Sequence, residues 1–136
     1  MGHAATAGIL GFELSNQTPI EIVEHGLPYG VVERLTKALD LTLDEFCHIV
    51  PVSRRTLSRY RAGQLLDAHL SDHILMVSQA YDRAVEVLET PENALIWLKT
   101  PNYTFRGQRP LDYLHSFAGA QEVLDELVRL QYGVFV

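Results

Sequence analysis

The chain has a single cysteine, Cys47, in 136 residues. That excludes an internal disulfide framework and a zinc site built from several thiolates. No run of about 18 apolar residues occurs, so the sequence offers no segment fit to span a bilayer. Met1–Leu14 has no basic stretch, and Gly2, Gly8 and Gly11 interrupt its apolar content, which is not the pattern of a secretory leader. The expected location is therefore cytoplasmic. Strand-like alternation long enough for a sheet is missing, as are internal repeats and low-complexity tracts. The length is too short for a barrel enzyme of roughly 250 residues and suits one domain or two small helical subdomains sharing a core. An excess of positive charge is also missing. Eleven basic against seventeen acidic residues give a net charge of −6, which argues, for the chain as a whole, against broad nucleic-acid binding.

What is present is helical periodicity. Apolar residues make up 47% and charged residues 21%, so the chain has the composition of a folded protein and the fold class reads as all-α. Residues 1–25 are weakly patterned, with a turn signal at Ser15-Asn16-Gln17-Thr18-Pro19, and read as a flexible arm. A helix is expected from about Pro28 through Val31, Leu35 and Leu39. Thr42-Leu43-Asp44-Glu45 is a capping box for a short helix through Phe46, Cys47, Ile49 and Val50, stopped by Pro51. Ser53 caps a third helix expected to end at Gly63. A long helix over Ala68–Leu88 follows, with Ile74, Val77, Tyr81, Ala84 and Leu88 on one stripe. Thr90-Pro91 opens another through Trp97 and Leu98. Thr100 to Pro110 reads as a loop, Leu111–Leu114 as a short helix, and a last helix is expected after Gly119. Gln131–Val136 reads as an apolar tail beyond that helix.

The sharpest local feature is Ser53-Arg54-Arg55-Thr56-Leu57-Ser58-Arg59-Tyr60-Arg61. It holds four of the eleven basic residues and no acid. By contrast, residues 1–50 carry two basic and seven acidic side chains, and residues 62–136 carry five and ten. On a helix, Leu57 and Tyr60 can face the core together, leaving Arg54, Arg55, Ser58 and Arg59 outward. Arginine reads guanine or clamps phosphate, and serine and threonine hydroxyls bind either. A capped helix, a tight turn and a polar helix make a helix-turn-helix unit, with Ser53, Arg54, Arg55, Thr56, Ser58, Arg59 and Arg61 as the expected DNA contacts. Pro51 stands where many such turns place a glycine at positive φ. Proline cannot reach that conformation, so this turn must be built differently.

Other constellations do not assemble. His69 and His73 have ligand spacing, but Leu70 stands where a zincin needs its glutamate, so no metal site is expected. Cys47 occupies an apolar position and reads as a small core residue rather than a nucleophile. Asp112, His115 and Ser116 are adjacent only in sequence, which does not make a triad. No phosphate-binding glycine loop occurs. Neither an enzyme nor a cofactor is expected. Trp97 reads as core, while the loop around Arg106 and Arg109 is either a partner surface or simply solvated.

Phe46 to Gly63 resembles the Xre-type helix-turn-helix. Trp97-Leu98-Lys99-Thr100-Pro101-Asn102, Gly107 to Leu114, Gly119 and Tyr132-Gly133-Val134 together resemble the toxin-binding domain of the Xre/MbcA/ParS antitoxins. The likeness covers roughly residues 26–136. His73, where relatives often have arginine, and Pro51 depart from the pattern. The resemblance implies a bacterial type II antitoxin. Its partner would be a RES-domain toxin that consumes NAD, encoded beside it. Neutralisation would be by protein contact, with the C-terminal segment reaching the toxin's active-site cleft, and the chain would bind its own operator and repress the operon. On this basis residues 26–67 are expected to carry DNA binding. Residues 68–136 are expected to carry oligomerisation and toxin binding, through Arg129, Gln131, Tyr132, Gly133, Val134, Phe135 and Val136. A homodimer is expected, with the long helix as its seam. The alternative is a transcription regulator with a small-molecule pocket in its C-terminal half and no toxin partner.

Overall fold

In the computed structural model, residues 18–133 are described, and within them the fold is helical, with no strand. Helix α1 (Pro19–His25) begins at a reciprocal cap. The Thr18 hydroxyl accepts from the Glu21 amide at 3.2 Å, and the Glu21 carboxylate accepts from the Thr18 amide at 2.9 Å. This differs from the unpatterned arm expected over residues 1–25: Thr18-Pro19 is a helix start, with proline at the first helical position. Residues 1–17 lie outside the described residues.

Helix α2 (Gly30–Ala38) buries Val31, Val32 and Leu35. It closes with the Leu41 amide on the Thr36 carbonyl at 2.8 Å and the Asp40 amide on the Lys37 carbonyl at 3.2 Å, a Schellman motif with Asp40 in the left-handed conformation at φ 52. Helix α3 (Leu43–Ile49) starts at the expected Thr42–Glu45 box, whose two hydrogen bonds measure 3.1 and 2.9 Å.

Helix α4 (Arg54–Ser58) is shorter than expected, ending at Ser58 rather than near Gly63. A long-range pairing takes over the chain beyond it. The Tyr29 amide donates to the Gln64 carbonyl and the Leu66 amide to the Leu27 carbonyl, each at 2.8 Å. The ring of Tyr60 stacks on Tyr29, centroids 5.9 Å apart. Gly26, at φ 95, lets the two segments close. A β-carbon there would sit 2.6 Å from the Leu66 carbonyl oxygen. The buried Ser71 hydroxyl then joins both sides, accepting from the Leu27 amide at 2.9 Å and donating to the Leu66 carbonyl at 3.3 Å.

Helix α5 (Ala68–Leu88) has the expected range, and the chain divides into two compact units within it, after Ser78. The first unit's core gathers Leu35, Leu39, Phe46, Leu57 and Ile74, all essentially buried. The exposed positions of α5 are Ala68, His69, Asp72, Gln79 and Glu86, while Met76, Val85, Val87 and Leu88 are half-buried.

The second unit continues into α6 (Pro91–Lys99), whose Thr90 hydroxyl caps the Asn93 amide at 3.0 Å. Two 3-10 segments follow, Tyr103–Phe105 within the expected loop and Pro110–His115. Helix α7 (Phe117–Tyr132) packs chiefly on Pro110–His115. It begins two residues before Gly119, capped by Ser116, whose hydroxyl accepts from the Gly119 amide at 3.0 Å. Gly119 is thus inside the first turn, where any β-carbon would run into the Tyr113 carbonyl oxygen. Phe105, Leu111, Leu114, Val123 and Leu127 form the core here. No helix among the described residues is long and apolar enough to cross a membrane.

Candidate functional site

The α3–turn–α4 segment is the first candidate. Its turn shows how Pro51 is accommodated. The Val52 amide donates to the Val50 carbonyl at 2.7 Å, closing a three-residue turn centred on Pro51. An inverse γ-turn has its central φ near −75°, which is proline's own range, so no positive φ is required. Ser53 then caps α4: its hydroxyl accepts from the Thr56 amide and donates to the Thr56 hydroxyl, both at 3.0 Å. Leu57 is buried and Tyr60 half-buried, as their spacing suggested.

The basic residues do not share one environment. Arg55, Arg59 and Arg61 are exposed, with Arg59 at the C-cap and Arg61 beyond the helix. Arg54, also exposed, contacts Asp44 of α3, Nη1 to Oδ1 at 3.1 Å. Sequence reasoning missed Asp44 because it lies ten residues upstream on a different helix. Thr56 and Ser58 are exposed, but the Ser58 hydroxyl donates to the Arg55 carbonyl at 2.7 Å, leaving its lone pairs outward. Beside them, burial pushes the Cys47 thiol above its usual range. The Arg54 charge opposes that shift and the Asp44 charge adds to it. A cleft of about 240 Å³ lies behind the turn, lined by Ser53, Thr56, Asp67, His69 and His73 among others. Ligand sites usually measure about 300–1,000 Å³, and this cleft lies in the first unit rather than in the C-terminal half. His69 is exposed and His73 buried, and no cluster of His, Cys, Asp or Glu able to hold a metal occurs among the described residues.

The second candidate is the end of α7. Gln131 and Tyr132, expected in a tail after the helix, are its last two residues, and Gly133 is its C-cap at φ 65. The Gln131 side chain accepts from Arg83 of α5 at 3.2 Å. Arg129, expected among the toxin-binding residues, is tied to Glu126 one turn back, Nε to Oε1 at 2.9 Å. Tyr132 is 70% exposed and Val128 is exposed beside the end of the helix. Val134, Phe135 and Val136 lie outside the described residues.

Comparison with known proteins separates the same two parts. The antitoxin Xre-like helix-turn-helix domain matches residues 18–78, and the antitoxin Xre/MbcA/ParS C-terminal toxin-binding domain matches residues 83–133. The mycobacterial cidal antitoxin MbcA of Mycobacterium bovis is 31% identical over 108 residues, covering 79% of this chain and 90% of that protein. The chain belongs to the Xre/MbcA/ParS antitoxin family. MbcA of Mycobacterium tuberculosis matches to the same extent. The crystal structure of the M. tuberculosis MbcT-MbcA toxin-antitoxin complex contains a chain that aligns with a TM-score of 0.59 and 28% identity, over 79% of this chain and 96% of that one. For this antitoxin-family chain, the helix-turn-helix match starts at the cap of α1. The segment read as an arm thus contributes its last eight residues to that domain.

Proposed function

We propose that this chain neutralises a toxin of the RES-domain, NAD-consuming class, encoded beside it. Binding is through the C-terminal unit, and the segment after Gly133 occludes the toxin's active site. The observation that carries this reading is the coincidence at Gly133. The toxin-binding family match ends there, α7 is capped there in a left-handed turn, Tyr132 stands exposed beside it, and Val134-Phe135-Val136 follow in the sequence. An apolar segment leaving a fixed helix end suits a concave site, which buries most of a small ligand. The chain has no need of catalytic groups for such a role. The helix-turn-helix unit, with Arg55, Arg59 and Arg61 outward, binds operator DNA as a homodimer and represses the operon from the cytoplasm.

Deleting Val134–Val136 tests the occlusion. The cut leaves α7, its cap and the Arg83–Gln131 contact in place, so the truncated chain should melt like the full chain yet fail to rescue cells expressing the adjacent RES-domain protein. Full rescue by the truncated chain overturns the occlusion.

A further inference from the structure

The loop between α6 and Pro110–His115 is built as a rigid display. Asn102 is its hub. Its carbonyl accepts from the Phe105 amide at 2.9 Å and the Gly107 amide at 3.0 Å, its amide donates to the Gln108 carbonyl at 3.0 Å, and its side chain accepts from the Thr104 amide at 2.9 Å. Phe105 anchors the loop inward. Fully buried, it meets Trp97 and Tyr113 edge-on at 6.0 and 5.0 Å, and its carbonyl accepts from the Tyr113 hydroxyl at 3.2 Å. Outward, the loop shows Tyr103, 97% exposed, and Arg106, exposed and held at φ 58, a conformation that disfavours side chains. Arg109, its neighbour in sequence, is instead absorbed by the framework, with two guanidinium nitrogens on the Asp112 carboxylate at 3.1 and 2.8 Å.

We propose that Tyr103 and Arg106 form a second docking point for the toxin, the tyrosine entering an apolar slot and the arginine pairing with a carboxylate at its edge. This rests on the toxin-binding reading above. A stable protein complex buries about 800 Å² on each partner, and three tail residues bury only a few hundred. The balance must come from elsewhere, and the loop lies within the residues 83–133 that match a toxin-binding domain. Of the large apolar side chains among the described residues, Tyr103 is the most exposed. Tyrosine and arginine are the residue types that most often dominate binding energy, and a loop ordered before encounter loses little entropy on docking.

The test measures binding of the full chain and its variants to the RES-domain protein encoded beside it, by calorimetry, with light scattering on the antitoxin alone. Tyr103→Ala should weaken Kd about 10- to 30-fold, and Tyr103→Phe by much less. Arg106→Asn keeps a residue that tolerates the left-handed turn and should weaken Kd about 10-fold, Arg106→Glu more. Both positions are exposed, so melting temperatures should not fall and the mass of the antitoxin should not move. Affinities within about twofold of the parent overturn the proposal. So does a changed antitoxin mass with toxin affinity intact, which assigns the loop to a second copy of the chain. Failure of the unaltered chain to bind the RES-domain protein overturns the toxin reading itself, and the loop proposal with it.

Discussion

Substituting Asp44 should strengthen DNA binding, although Asp44 belongs to neither the turn nor α4. Its carboxylate holds Arg54 at 3.1 Å, and both side chains are open to solvent, 76% and 61% exposed. An exposed pair of this kind contributes about 0.2–1 kcal/mol to stability, so its loss does not threaten the fold. On the DNA-binding reading proposed above, it withdraws one of four cations from the phosphate backbone. With Arg55, Arg59 and Arg61 each neutralising one phosphate, log K should fall with log salt at a slope of about −2.7 per protomer. Asp44→Asn releases Arg54 and should steepen the slope to about −3.6. Between 50 and 200 mM salt these slopes correspond to about 40-fold and about 150-fold losses of affinity. The assay is fluorescence anisotropy on the DNA upstream of the reading frame, with an unrelated duplex of equal length as reference. Arg54→Ala should barely alter the slope in the parent and should cancel the gain in the Asp44→Asn background. Asp44 also lies in the first turn of α3, so the substitution costs about 0.3–1 kcal/mol of helix-dipole stabilisation, which a thermal melt registers separately. An unchanged slope in Asp44→Asn would refute the claim that the ion pair subtracts Arg54 from the DNA surface.

Three further outcomes are expected. Gly119→Ala drives a β-carbon into the Tyr113 carbonyl and should cost about 1–3 kcal/mol or more, read as a lowered melting temperature; a melt unchanged within a degree contradicts the close packing. Glu89 closes α5 at φ 82, so Glu89→Gly should relieve left-handed strain, gain about 0.5–1 kcal/mol net and raise the melting temperature by about 2–4 °C, whereas a lower value shows the turn to be unstrained. Burial raises the Cys47 pKa, which keeps the thiol protonated to higher pH and favours the folded state below the thiol's ordinary range. At pH 8 it should react with iodoacetamide more slowly than a free thiol and at the free-thiol rate in urea; equal rates in both conditions count against shielding of this half-buried thiol.

The sequence was most readable where the cause of structure is local. The Thr42 box, the Pro91 start and the stripe of α5 each depend on residues within a turn or two of one another, and each element stands where its pattern placed it. The Thr18 cap was equally local, but Ser15 to Pro19 reads as a turn as readily as a helix start. Distant causes were hidden. Helix α4 stops at Ser58 because residues 64–66 pair with 27–29, and no nearby signal announces a partner some 37 positions away. Gly119 reads as punctuation, yet its role is to let α7 approach the Tyr113 carbonyl. At the candidate sites, the basic cluster and the apolar end were visible as composition. The division of labour among the cations, with Arg54 on Asp44, Arg109 on Asp112 and Arg129 on Glu126, required the folded geometry.

The Ser71 hydroxyl also carries a consequence for timing. It bonds the Leu27 amide across 44 residues of chain. A ribosome adding about 5–20 residues per second needs roughly 2–9 s to travel from Leu27 to Ser71. Through that interval α1 has its local cap, but the Leu27 amide and the Leu66 carbonyl have no hydroxyl to share. The helix-turn-helix unit of a nascent chain therefore lacks this latch until α5 has begun to emerge, and a chain interrupted before residue 71 keeps the pairing of 27–29 with 64–66 but has no hydroxyl to lock it.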